Sequence, residues 1–73
     1  MNENVFNMLE GLGNVLINYD FNLIFVWNLS HSVNIYDFNA NEIDLISFDW
    51  TNEEPTENGF KNSVQTYLNE LNN

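Results

Sequence analysis

Three short stretches place an aspartate between two aromatic residues: YDFN at 19–22, YDFN again at 36–39, and FDWT at 48–51. Carboxylates could carry chemistry here, because they bind cations, exchange protons and pair with basic groups. Asp and Asn also make tight turns through hydrogen bonds to the backbone. The repeated motif is therefore either a recurring turn or an arrangement in which the aromatic residues fix where a carboxylate points.

One of these stretches begins like a calcium-binding loop. Asp37, Asn39 and Asn41 would occupy its positions 1, 3 and 5. Such a loop also needs a glycine at position 6 and a glutamate at position 12, where this chain has Glu42 and Phe48. The pattern therefore predicts a hairpin turn and no metal site.

Other catalytic chemistry lacks the necessary side chains. His31 is the only histidine, it lies in a predicted turn, and there is no cysteine. Zinc needs several His or Cys ligands, and a phosphate site needs a glycine-rich loop or several basic residues. Paired carboxylates can hydrolyse glycosides, but 73 residues leave no room for a sugar cleft. We expect neither enzyme activity nor a cofactor.

The charge balance is the most informative feature of the composition. Eleven acidic residues face one basic residue, Lys61, which gives a net charge of −10. Sixteen residues are Asn. The codons for Asn and Lys are both A-rich, so an AT-rich genome would raise both residues, and base composition does not explain the missing Lys. Such a charge destabilises a small compact body and opposes binding to nucleic acid or anionic lipid. One explanation is a solvated acidic surface that binds nothing. The other is a surface that binds a strongly basic protein.

The length and hydropathy predict a single domain over residues 1–73. No apolar run approaches the roughly 20 residues that span a bilayer, and the N-terminal residues lack the positive charge of a signal peptide. We therefore expect a soluble, cytoplasmic protein that does not bind membranes.

Hydrophobic periodicity predicts the elements that must position the acids. Helical spacing covers residues 4–12 and 60–71, and alternation with period two covers most of residues 14–50. We expect an α+β fold: a helix, a four-stranded antiparallel meander and a second helix, with both helices on one face of the sheet. The first hairpin should have a three-residue loop at 19–21. A β-bulge at Leu45–Ile46 should bring five apolar residues to the core face: Ile43, Leu45, Ile46, Phe48 and Trp50.

The same pattern predicts a core and a second apolar patch. The predicted core comprises Phe25, Trp27, Phe48, Trp50, Val64 and Leu68. Leu16, Ile24 and Val26 fall on the other side of the first two strands, where they form either a homodimer surface or a patch covered by the chain ends and Tyr36. Glu42, Asp44 and Asp49 are expected to share a solvent face.

The acids should gather at one edge and end of the sheet, because the first and third turns of a meander lie at the same end. The predicted partner-binding residues are Asp20, Asp37, Glu42, Asp44, Asp49, Glu53, Glu54 and Glu57. A repeated turn would produce a similar pattern without binding anything.

The chain is small, lacks cysteine, has almost no lysine, and carries the acidic stretches YDFN, YDFNAN and FDWTNEE. These features give the whole sequence a resemblance to a class of proteins and not to one family. It resembles phage and mobile-element inhibitors of host defence, which include DNA-mimic anti-restriction proteins and anti-CRISPR proteins. The resemblance implies a stoichiometric blocker of a basic nucleic-acid-binding protein, such as a CRISPR effector, a restriction enzyme or a nuclease. It transfers no individual residue roles.

Two other classes fit the same composition. An immunity protein or antitoxin that neutralises a basic nuclease toxin would carry the same charge, and an adjacent toxin gene would favour it. A small self-assembling phage structural protein would instead use the apolar patch of Leu16, Ile24 and Val26.

Overall fold

The computed structural model describes residues 3–47 and 55–73. Its elements are α1 (Glu3–Glu10), β1 (Asn14–Asn18), β2 (Leu23–Trp27), β3 (Ser32–Asp37), β4 (Glu42–Ser47) and α2 (Glu57–Leu71). The strands form one antiparallel sheet in the order β1-β2-β3-β4. The expected α+β class, the order of the elements and the meander are confirmed.

The two helices pack against opposite faces of the sheet, whereas the sequence led us to expect both on one face. Leu23, Phe25 and Trp27 form a cluster with Phe60 and Val64 of α2. Ile24 and Val26, which point to the other side of β2, form a second cluster with Leu9 of α1. All five residues of β2 are buried and apolar, so this central strand needs cover on both faces.

The first hairpin has a four-residue loop, 19–22, and not the three-residue loop predicted from the sequence. Asn18 pairs with Leu23 across the hairpin, and Leu16 therefore pairs with Phe25. A loop that is longer by one residue moves every side chain of β1 to the opposite face. Asn22 adopts the left-handed φ of 56° that closes this loop, a conformation that Asn tolerates well.

This register removes the apolar patch on which the homodimer hypothesis rested. Leu16 lies on the face covered by α2, while Ile24 and Val26 lie on the face covered by α1. Ile24 is 0% and Val26 4% exposed. The three residues therefore share no exposed surface.

The β-bulge of β4 lies earlier than expected. Ile35 pairs with Asp44 and Tyr36 pairs with Glu42, so Ile43 is the extra residue. Ile46 packs against the core as predicted, but Ile43 and Leu45 are 51% and 54% exposed. The prediction that a bulge at Leu45–Ile46 would turn all five residues to the core is therefore wrong for Ile43 and Leu45. Phe48 and Trp50 lie outside the described residues.

Helix α2 is capped at its N-terminus and packs against β2 through two aromatic contacts. The Thr56 hydroxyl accepts a hydrogen bond from the backbone N–H of Gly59 (3.1 Å), which caps the helix. Phe60 stacks on Trp27 with ring centroids 5.5 Å apart, and Tyr67 meets the ring of Phe25 edge-on at 5.8 Å. The helix therefore begins near the Trp27 end of β2 and runs toward the end that carries the first hairpin loop.

The predicted core is largely confirmed where the structure describes it. Phe25, Trp27 and Val64 are buried, and Leu68 is half-buried against the same cluster. Phe48 and Trp50 lie outside the described residues.

Candidate functional site

The loops 19–22 and 38–41 meet at one end of the sheet, which we call the hairpin end. The Tyr19 ring packs edge-to-face against Phe38, with centroids 5.8 Å apart and the ring planes at 78°. This contact joins the first and third turns directly. The prediction that these two turns lie at the same end is confirmed.

The two YDFN copies occupy different structural positions. The first, 19–22, forms the whole loop between β1 and β2. The second, 36–39, covers the last two residues of β3 and the first two of the next turn. Identical sequence therefore places Asp20 at the tip of a loop and Asp37 at the end of a strand.

The carboxylate of Asp37 organises its turn. It accepts hydrogen bonds from the backbone N–H groups of Asn39 (2.8 Å) and Asn41 (2.9 Å), and from the side-chain amide of Asn41 (3.1 Å). These bonds, the one from the Asn41 backbone most of all, hold the pKa of Asp37 below its ordinary value. Asp37 therefore adds negative potential to the hairpin end, while its carboxylate oxygens accept hydrogen bonds within the turn. The turn interpretation of the motif is correct for this copy.

Asp20 has a different position. In the first loop the turn bond comes from Asn18, whose Oδ1 accepts a hydrogen bond from the Phe21 N–H at 2.8 Å. Asp20 is exposed. Because Asn18 and Asn22 make the turn, the Asp20 carboxylate remains available to a partner.

Glu42 is the third acid at the hairpin end. It begins β4, directly after the loop 38–41, and its carboxylate accepts a hydrogen bond from the side-chain amide of Asn34. The pKa of Tyr36 is raised, mainly by burial and further by the charge of Glu42. Glu42 thus lies on the face of the sheet that carries Tyr36.

Asp44 lies on the other face. Its Oδ2 accepts a hydrogen bond from the Tyr67 hydroxyl of α2 (2.9 Å). Burial, that hydrogen bond, and the charges of Asp44 and Glu70 raise the pKa of Tyr67. Glu42 and Asp44 therefore do not share a face as predicted, because the bulge at Ile43 breaks the alternation between them.

Glu57 is remote from the hairpin end. It lies in the first turn of α2, where the helix dipole favours a negative charge. Its carboxylate is 3.5 Å from the Lys61 ammonium. The described residues thus bring Asp20, Asp37 and Glu42 together and leave Asp44 and Glu57 apart. Asp49, Glu53 and Glu54, also predicted for this surface, lie outside the described residues.

Two aromatic side chains of the hairpin end, Tyr19 and Phe21, were not among the residues predicted for this surface. Tyr19 is 69% and Phe21 38% exposed. The pair of asparagines that bracket the loop, Asn18 and Asn22, was the available signal, because Asn favours turns. These aromatic rings are part of the candidate surface.

A groove between β4 and α2 encloses about 320 Å³. It is lined by Ile46, Ser47, Asn62, Ser63, Thr66, Tyr67 and Glu70. Within residues 3–47 and 55–73, no three His, Cys, Asp or Glu side chains come together as a possible metal site. The helices of that same part of the chain are too short or too polar to cross a membrane.

Comparison with models of protein families, with curated proteins and with solved structures found no match to this chain.

Proposed function

We propose that this chain is an inhibitory protein ligand that occupies the basic groove of a nucleic-acid-binding protein. The proposed target is a CRISPR effector, a restriction enzyme or a nuclease, and the chain acts as a DNA or RNA mimic of a phage or mobile element. The observation that supports it best is the charge distribution. Eleven acids face one base, and that base, Lys61, lies 3.5 Å from Glu57.

Size and charge density support the same proposal. The longest axis of the protein is 38 Å, and duplex DNA of that length carries about 22 charges at one per ~1.7 Å. The eleven acids of this chain are half that number. Carboxylates held by a fold also lose less conformational entropy on binding than those of a flexible acidic tail.

The hairpin end is the part of the described surface best suited to that contact. Asp20, Asp37 and Glu42 lie there, whereas Lys61, the one Lys or Arg of the sequence, is near the opposite end. Charge complementarity across an interface raises the association rate and disfavours wrong partners.

The proposal is tested by capture from a nuclease-treated lysate of the cells that carry the gene. The immobilised protein should retain a nucleic-acid-binding protein that added DNA or RNA elutes. A double reversal at the hairpin end, Asp20→Lys with Glu42→Lys, should abolish that retention. The matched control, Glu3→Lys with Glu10→Lys on α1, changes the net charge equally and should retain the partner.

Two results would contradict the proposal. One is a partner that nucleic acid fails to elute, and the other is equal retention by the two reversed proteins. If the partner is a nuclease encoded beside this chain, the surface chemistry stands and the biological role becomes that of an immunity protein.

A further inference from the structure

The loop at 19–22 exposes aromatic side chains that its own turn does not need. The turn is made by the Asn18 side chain, which accepts the hydrogen bond from Phe21 N–H, and by Asn22 at positive φ. Neither interaction uses an aromatic ring. Yet Tyr19 is 69% exposed and Phe21 38% exposed in this loop.

The ring contact of this loop leaves much of the Tyr19 side chain uncovered. Tyr19 meets Phe38 edge-to-face at 5.8 Å, and such a pair is worth a modest amount beyond its buried area. An edge-to-face contact leaves ring surface free, and the exposure of Tyr19 shows that most of this side chain faces solvent. The contact therefore orients the Tyr19 ring and does not cover it.

An exposed aromatic ring next to an exposed aspartate in the chain suits one kind of ligand. The π-face of an aromatic ring attracts a cation, and arginine is the cation found there most often. The planar guanidinium can stack flat on a ring while its N–H groups pair with a carboxylate, whereas the ammonium of lysine is a compact, strongly hydrated charge that cannot stack. Asp20 lies between Tyr19 and Phe21 in the chain, and its carboxylate is not needed by the turn.

We propose that the loop 19–22 is an arginine-binding anchor, in which Tyr19 and Phe21 stack on a guanidinium group of the basic partner and Asp20 pairs with it. This inference rests on the proposed function and adds the chemistry of its central contact. Aromatic side chains and arginine are the residues that dominate binding energy at protein interfaces.

A second copy of this chain does not fit the anchor. Each copy carries a net charge of −10 and no arginine. The single Lys61 lies near the opposite end of the fold, 3.5 Å from Glu57. The guanidinium must therefore come from a different chain with a basic surface.

The test uses decaarginine and decalysine peptides, which have equal charge, with binding followed by fluorescence anisotropy at about 50 mM salt. The wild-type protein should bind decaarginine about 2–5-fold more tightly than decalysine, the range of a cation–π contact at an exposed site. Tyr19→Leu, which keeps an apolar side chain and removes the ring, should abolish this preference. Tyr19→Phe should keep it.

Three further variants separate the effect of the Tyr19 ring from that of charge and from that of general side-chain exposure. Asp20→Asn should weaken the binding of both peptides. Glu10→Gln removes one charge from α1 and should weaken their binding less. Leu29→Ala shortens a side chain that is also 69% exposed, in the β2–β3 loop at the opposite end, and should keep the preference. In wild-type protein, NMR shifts on adding decaarginine should concentrate at residues 19–22 and 37–42.

The results that would overturn the anchor alone differ from the result that would also overturn the proposed function. Equal affinity for the two peptides, a preference that survives Tyr19→Leu, or shifts that avoid the loop would overturn the anchor while leaving the acidic surface as the binding site. If neither peptide binds at low salt, the anchor and the proposed function are both overturned.

Discussion

Replacing Gly13 with alanine gives a direct test of how the chain enters the sheet. Gly13 connects α1 to β1 and lies against the end of β2. A Cβ atom at this position would be 2.5 Å from the carbonyl oxygen of Trp27, 3.0 Å from its carbonyl carbon and 3.1 Å from the Cα of Asn28. Favourable carbon contacts lie near 3.5–4.0 Å, so the backbone must move by about 1 Å.

The expected cost follows from that displacement. Overpacking of this kind typically costs about 1–3 kcal/mol, and the atoms in the way are backbone, which cannot rotate aside. Alanine recovers about 0.4–1 kcal/mol by restricting the unfolded chain. The net of these two effects should lower the free energy of unfolding of Gly13→Ala by about 1 kcal/mol. For a domain of this size that corresponds to a fall in Tm of roughly 4–8 °C.

The chain supplies its own control two residues earlier. A Cβ at Gly11 would be 3.4 Å from the nearest atom, the Met8 carbonyl oxygen, and neither glycine has a positive φ. Gly11→Ala should therefore leave stability unchanged or raise it by about 0.4–1 kcal/mol. Thermal and urea unfolding followed by circular dichroism measures both variants. A Gly13→Ala protein as stable as Gly11→Ala would refute the close packing of this connection against β2.

Three further predictions concern charge and pH. Raising salt from low to moderate concentration should raise Tm, because screening over about 10 Å weakens the self-repulsion of a −10 protein; a flat Tm would contradict this. The raised pKa of Tyr67 contributes stability below pH 10.0 that is lost as pH rises through the folded-state pKa, so alkaline unfolding should be shallower in Tyr67→Phe. The lowered pKa of Asp37 contributes stability above 3.8 that is lost as pH falls through its folded-state pKa. Acid unfolding monitored by fluorescence should therefore depend less on pH in Asp37→Asn, and an unchanged profile would contradict the role of this carboxylate in the turn.

The fold class was predictable because each element has a clear local signal. Period-two alternation marks the strands, helical spacing marks the two ends, and the turn residues between them are Asn and Asp. Two of the predictions that failed depend on single residues. One extra residue in the first loop reversed the faces of β1, and a bulge at Ile43 instead of Leu45–Ile46 left Leu45 exposed.

The placement of the helices was harder to predict because periodicity does not say which side of a sheet a helix covers. The informative signal was β2 itself, LIFVW, which is apolar on both faces. A strand of this kind needs cover on both sides, and the chain has one helix for each. Helix α1 supplies Leu9 to that cover, while Met8 and Leu12, which fall in the segment predicted to have helical spacing, are exposed.

The meeting of the first and third turns was predictable from the sequence, but the position of each carboxylate there was not. Meander geometry correctly brought the first and third turns together. It could not distinguish the two YDFN copies, because whether a carboxylate caps its own turn depends on where the turn begins. The Asp37 carboxylate accepts the hydrogen bonds of its own turn. In the first loop Asn18 accepts the equivalent bond, and Asp20 is exposed.

Competition between this protein and nucleic acid for the captured partner tests the central claim most directly. The affinity of labelled protein for that partner should be measured at increasing concentrations of the DNA or RNA that the partner binds. If the hairpin end occupies the basic groove, the apparent Kd should rise in proportion to the nucleic acid, without a plateau, and the reverse titration should displace the nucleic acid. An apparent Kd that stays constant at saturating nucleic acid would show that both bind at once and would contradict the account.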